Sequence, residues 1–113
     1  MTREEIEVAK VIFILQRRRD KSPDEVREHW RGEEHMSRVR ELPGLQRFVQ
    51  NYIVASPTGH ICDGVGELWF GNDEDMERAL NSQEMKAAVE SAKSFLDMDR
   101  TAMVIVREKT LIG

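Results

Sequence analysis

The chain alternates between short blocks of β-branched and aromatic residues and longer stretches in which apolar positions recur every three or four residues. Residues 8–16 are of the first kind, rich in valine, isoleucine and phenylalanine and followed by the basic cluster Arg17-Arg18-Arg19, which predicts a strand running out to the surface. Ser22-Pro23-Asp24-Glu25 then combines a serine N-cap, a proline at the first helical position and a glutamate three residues after the cap, so a helix starts at Pro23. Val26 and Trp30 share one face of it, whereas His35, Val39 and Leu42 follow a different line around the axis. Gly32 lies between the two sets and, with a helix penalty of about 1 kcal/mol relative to alanine, marks a bend or break. Pro43-Gly44 stops the segment.

Residues 45–55 read as a second strand, Ser56-Pro57-Thr58-Gly59 as a turn, and residues 64–70 as a third strand. Asn72 and the acids after it suit a helix N-terminus. Met76, Ala79 and Leu80 form one apolar stripe, and Met85, Ala88, Val89, Ala92, Phe95 and Leu96 form another, with Asn81-Ser82 as the interruption. A polar connector, residues 97–100, leads to a fourth strand at 101–108. The order βαββαβ predicts a ferredoxin-like α+β sandwich, helices on one face of an antiparallel sheet, as one domain over residues 1–113.

Helices cover one face of such a sheet, yet residues 11–15 and 103–106 are apolar on both, where a wetted face would alternate. A second copy of the chain is the simplest cover, so a homodimer is expected, disrupted by a charge on the partner-facing side, for instance Ile105→Lys.

Composition narrows the class further. With 40% hydrophobic and 34% charged residues the chain is too apolar for disorder and too charged for a membrane protein, and an apolar run such as residues 11–15, which no other run exceeds, is far short of the ~20 residues of a spanning helix. The start of the chain, Thr2-Arg3-Glu4-Glu5, is acidic where a secretory signal is basic, so the cytoplasm is expected. Cys62 is the only cysteine, which precludes an intramolecular disulfide. A net charge of −4 disfavours nucleic acid. Asp63-Gly64-Val65-Gly66-Glu67 has the rhythm of an RNA-recognition strand, but an acid replaces the basic residue, and Val65 and Glu67 occupy the stacking positions. As a dinucleotide motif it fails too, since Trp69 stands where the third glycine belongs. His60 and Cys62 are two possible metal ligands where zinc needs three or four.

Histidine chemistry is what remains. His29 sits on an early helical turn and reads as a solvated surface group, whereas His35 shares a face with Val39 and Leu42 and points inward. Two readings stand at His35: an imidazole satisfied by a backbone carbonyl, or a group that moves protons near neutral pH.

His29-Trp30, His35, Pro43-Gly44-Leu45, Gln50-Asn51-Tyr52, Asp63-Gly64 and Glu67-Leu68-Trp69-Phe70, with Phe95 and Arg100 beyond them, together resemble the signature of the EthD family. The resemblance covers nearly the whole domain and implies a dimeric α+β barrel that handles a small organic molecule without cofactor or metal. Its members are similar to isomerases of methyl-substituted muconolactones, polyketide dehydratases or cyclases, and an accessory protein of ether degradation. In the isomerase-like members a histidine corresponding to His35 works beside a tyrosine on the second strand, where this chain has Phe48; Tyr52 alternates to the same face. The resemblance thus implies an isomerase, lyase or cyclase moving a proton next to a carbonyl of a cyclic or aromatic metabolite. His35 would be the general base or acid, Tyr52 or Asn51 would polarise an oxygen, and Trp30, Phe48, Trp69 and Phe95 would form apolar walls. An EthD-like oxidoreductase or cofactor-free oxygenase, and a non-catalytic ligand-binding accessory protein, are the other readings it leaves open.

Overall fold

The structure, a computed structural model, describes residues 7–113, with side chains from Ala9 onward; the acidic start of the chain, residues 1–6, lies outside the described residues. Strand β1 (Glu7–Leu15) is followed by helices α1 (Pro23–Arg31) and α2 (Glu33–Val39), strands β2 (Leu45–Tyr52) and β3 (Gly64–Phe70), helices α3 (Asp73–Leu80) and α4 (Gln83–Ala92), and strand β4 (Ala102–Lys109). The sheet is antiparallel throughout in the order β2-β3-β1-β4, which is the expected ferredoxin-like arrangement with each helical region broken in two.

Both breaks have local causes. The reciprocal cap at α1 is present: Glu25 N–H donates to Ser22 Oγ at 3.1 Å, and Ser22 N–H donates to Glu25 Oε1 at 3.0 Å. Gly32 ends α1 and starts α2 in an extended conformation. In the second region Ser82 interrupts the helix and its hydroxyl caps α4 by accepting from Met85 N–H at 3.0 Å. Three limits differ from expectation. Helix α2 ends at Val39, ahead of the Pro43-Gly44 stop; α4 ends at Ala92, so Phe95 and Leu96 belong to the turn after it; and β2 ends at Tyr52, leaving residues 53–63 to loop back to the sheet end, where Asp63 N–H donates to the Leu15 carbonyl at 2.8 Å.

Register sorts the side chains between the two faces. Val11, Phe13 and Leu15 of β1, Leu68 and Phe70 of β3, and Phe48 of β2 point at the helices, forming with Val26, Trp30, Val39, Met76 and Phe95 the buried layer between sheet and helices. Trp30 lies directly on the β3 backbone: a Cβ at Gly64 would stand 2.8 Å from its Cζ3, and one at Gly66 3.3 Å from its Cζ2. The two glycines of Gly64-Val65-Gly66 are therefore a seat for an indole.

The opposite, open face carries Ile12, Ile14, Val65 and Val104, as the two-sided apolar pattern implied, but a charged network lies among them. Lys10, only 8% exposed, is 2.5 Å from Glu67 Oε2 and 3.0 Å from Glu108 Oε2, and its ammonium stands 4.3 Å over the Trp69 ring. Trp69 Nε1–H donates to Glu108 Oε1 at 2.9 Å, and Arg47 lies over the same indole. Burial pulls the Lys10 pKa down, but the two glutamates outweigh it and leave it raised. On β4 the expectation for Ile105 is corrected. Ile105 aligns with Val11 and so belongs to the helix side, left 55% exposed at the edge where the helices do not reach, while Val104 aligns with Ile12 on the open face. No helix among the described residues is long and apolar enough to cross a membrane.

The indole seat gives a direct stability test. Gly64→Ala forces a methyl into Trp30 and should cost about 1 to 3 kcal/mol in urea denaturation, and Gly66→Ala, with 3.3 Å available, should cost less. Equal tolerance of both would mean that Trp30 does not rest on this strand.

Candidate functional site

Helix α2 places His35 over the sheet because its inner face is set by Val39 one turn on, and the short helix is turned away from α1 at Gly32. The side chain is 8% exposed and borders a cavity of about 70 Å³ between helices and sheet, whose walls include Phe13, Trp30, Phe48, Leu68 and Met85. Nearly all of the lining is hydrocarbon. The polar exception besides His35 is Thr101, whose hydroxyl is already committed: it accepts from Gln16 N–H at 3.0 Å and donates to the Asp97 carbonyl at 3.0 Å.

The imidazole is held by a side chain, not by the backbone carbonyl anticipated. Its Nδ1 lies 2.5 Å from Ser91 Oγ on α4, and Ser91 spends its one hydroxyl proton on the Ala88 carbonyl at 2.9 Å. Ser91 must then accept, so the proton of the neutral ring sits on Nδ1 and the Nε2 lone pair has no partner among the described residues. Phe95 meets the His35 ring edge-on at 5.4 Å between centroids and is stacked with His29 at 5.7 Å. Burial, and secondly the charge of Arg38, push the His35 pKa down to about 4. The ring is thus neutral at physiological pH and carries an unpartnered acceptor at the border of a largely apolar cavity.

Not all of the anticipated site assembles here. Trp30 and Phe48 line the His35 cavity. Phe95 stands behind the imidazole as support and is not among the lining residues. Trp69 and Asn51 are on the open face of the sheet, Trp69 within the Lys10 network and Asn51 donating from Nδ2 to Glu67 Oε1 at 2.8 Å, so neither shares a cavity with His35. The reason is strand alternation: both pair in register with residues whose side chains leave the helix side. Tyr52 is on the helix side as expected but lines a separate cavity beyond Trp30, meeting the indole edge-on at 5.7 Å, and its hydroxyl donates to Gln50 Oε1 at 2.6 Å. Ser91 was missed; the available signal was a small polar residue three positions after Ala88 on the buried stripe of α4. No cluster of three or more metal-ligating side chains occurs among the described residues.

A four-stranded ferredoxin-like sheet with a histidine-bearing apolar cavity under split helices defines the class, and the family follows. The chain belongs to the EthD family, whose domain model matches residues 18–99. Among solved structures, an EthD family protein from Bacillus halodurans superposes with a TM-score of 0.74 at 25% identity, over 89% of this chain and 98% of that one. A dimeric ferredoxin-like protein of unknown function from Thermobifida fusca gives a TM-score of 0.64 at 13% identity, over 92% of each chain. SnoaB, a cofactor-independent oxygenase from Streptomyces nogalater, gives 0.60 at 13% identity, over 96% of this chain and 99% of that one. No curated protein matches the chain.

The lowered pKa of His35 makes stability depend on acid in a defined direction. The unfolded chain protonates this imidazole below about 6.5, whereas the native state resists until about 4, so stability present above pH 6.5 is lost as pH falls toward 4. The shift corresponds to about 3 kcal/mol at its limit. Urea denaturation at pH 7 and pH 4.5 should show the wild type losing more stability than His35→Gln between the two; parallel losses would mean that the ring is not desolvated.

Proposed function

We propose that this EthD protein is an enzyme that works without a cofactor, moving a proton next to a carbonyl of a small cyclic or aromatic metabolite. The observation that carries this reading is the His35 imidazole, presented in the Nδ1–H form by Ser91 with an unpartnered Nε2 and bordering an apolar cavity. In such a site Nε2 takes a proton from the carbon beside the carbonyl, the electron pair passes to the carbonyl oxygen, and the imidazolium returns the proton at a second position, which completes an isomerisation with atoms balanced. The depressed pKa makes the empty site a weak base. The low dielectric offsets this once the proton moves, because the imidazolium and the enolate stabilise each other at close range. Trp30 and Phe48 supply apolar walls against which the ligand packs. The role of oxygen polariser drawn from Tyr52 or Asn51 does not carry over to this cavity, so charge stabilisation falls to the imidazolium itself.

The same first step leads to a second reading. A carbanion formed in an apolar cavity can meet dissolved oxygen instead of being reprotonated, and the fold similarity to SnoaB, itself a cofactor-independent oxygenase, keeps that outcome in view. Oxygen uptake during turnover separates the two.

With a substrate in hand, His35→Gln should leave the fold and binding nearly unaltered and lower kcat by about 100-fold or more, since glutamine does not titrate. Full turnover in the variant would reject the catalytic assignment in favour of a ligand-binding accessory role.

We further propose that the protein acts as a homodimer through the open face, as the apolar residues there and the dimeric ferredoxin-like relatives suggest. Light scattering should return twice the 13.1 kDa chain mass. Val104→Lys, a charge on the open face beside Ile12, should shift the mass toward the monomer, whereas Ile105→Lys on the helix side should do so less. A monodisperse wild-type monomer would remove the dimer.

A further inference from the structure

Trp30 is a wall shared by two cavities. Beyond it from His35, at the sheet end where the loop after β2 returns, lies a space of about 180 Å³ bordered by Arg27, Trp30, Tyr52, His60, Cys62 and Asp63. It is larger than the His35 cavity, of about 70 Å³, and differs from it in carrying charge. The proton-transfer reading leaves these groups unused.

The charges in this second space do not cancel. Asp63, its carboxylate 7% exposed, is already satisfied: it accepts from Arg17 N–H at 2.9 Å and faces the Arg17 guanidinium at 3.6 Å and His60 Nε2 at 3.7 Å. Arg27 has no carboxylate partner among the described residues. Its guanidinium is laid over the Tyr52 ring at 5.2 Å, and that ring meets Trp30 edge-on. The contact with the ring leaves the guanidinium at the border of the cavity with no hydrogen bond or ion pair to another side chain among the described residues, and a guanidinium can receive a planar anion through two parallel hydrogen bonds. One unpaired cation balances a single negative charge, so the site suits a monocarboxylate better than a phosphate dianion.

We propose that this second cavity is a carboxylate-binding subsite, and that the ligand is a small aromatic or cyclic carboxylic acid held by Arg27 with its apolar body against the Trp30 indole. The assignment rests on the proposed function for the link between the subsite and the reaction, but binding at Arg27 is measurable without any turnover. Arg27 would fix the anionic end and the indole would hold the apolar body on its side turned away from His35, so binding here is read separately from chemistry in the His35 cavity.

The two indole N–H signals of the protein, from Trp30 and Trp69, give a built-in control, because Trp69 lies on the opposite face of the sheet. Benzoate titrated into 15N-labelled protein should shift the Trp30 signal saturably and leave that of Trp69 in place. Benzamide, of similar shape but uncharged, should bind about tenfold or more weakly, and Arg27→Gln should lose benzoate affinity by a similar factor, as expected for a charged hydrogen-bonded pair. Arg27→Lys, which keeps the charge and loses the fork, should fall between, and retained dispersion of the amide spectrum establishes that each variant is folded. His35→Gln should bind benzoate as the wild type does. Absence of a saturable Trp30 shift at millimolar benzoate, equal binding of benzamide, or wild-type affinity in Arg27→Gln overturns the subsite. Loss of binding in His35→Gln with none in Arg27→Gln also overturns it, placing the acid in the His35 cavity and leaving the catalytic reading intact.

Discussion

The contact on which this molecule turns is the seat of Trp30 on the two positions of β3, Gly64 and Gly66, that have no side chain to resist it. The bare backbone at Gly64 and Gly66 lets the indole approach to a distance that a Cβ would forbid, and that approach sets how closely α1 lies on the sheet. The break at Gly32 then swings α2 into position, so that His35 comes down beside Trp30 and not on its far side. Close packing has a second effect. The indole is broad enough to divide the space between helices and strands, giving one cavity that is hydrocarbon apart from an imidazole and another that carries a guanidinium and a satisfied carboxylate. Two chemically different environments within one small domain follow from a single aromatic side chain on a glycine pair.

The open face obeys a different constraint. A wholly apolar face would pair with another in any of several registers, since apolar packing has little directional content. Lys10, Glu67 and Glu108 form a net-negative triad with Arg47 close by across the Trp69 ring, and each charge has a counterpart within its own chain. A partner that buried the triad out of alignment would strip solvent from charges without replacing it, which is costly, whereas an aligned one would leave the internal pairs intact. In the proposed dimer the network would therefore contribute little to affinity and would restrict how a second sheet can lie on this one.

Most of the architecture was legible in the sequence because its signals are local. The capping box at Ser22, the glycine break at 32 and the interruption at Asn81-Ser82 each act within a few residues, and each appears where the pattern placed it. The family signature was likewise readable, and the matched domain bears it out. What could not be read was the side on which each strand residue falls when apolar and aromatic residues occupy both. Trp69 looked like a pocket wall because it is large and apolar, and Ile105 looked partner-facing because its neighbours are apolar, but register against β1 and β3 puts each on the other side. Asn51 went astray for the same reason. Ser91 is a tertiary choice: no periodicity announces that a serine on α4 meets a histidine 56 positions earlier.

That serine changes what the histidine can be. A buried imidazole with both nitrogens in hydrocarbon would have no preference between its two tautomers, and a protonated one would need a counterion that the cavity lacks. Ser91, its proton directed to the Ala88 carbonyl, offers Nδ1 an acceptor and resolves the first ambiguity, while burial and Arg38 resolve the second by holding the ring neutral. The result is a lone pair in a cavity with few competing polar groups. Neutral ligands without an acidic hydrogen give such a group nothing to accept. Under the proposed function it would respond to a ligand whose acidity is raised by its own carbonyl, and selectivity in this site would then come from the ligand's electronic structure as much as from its shape.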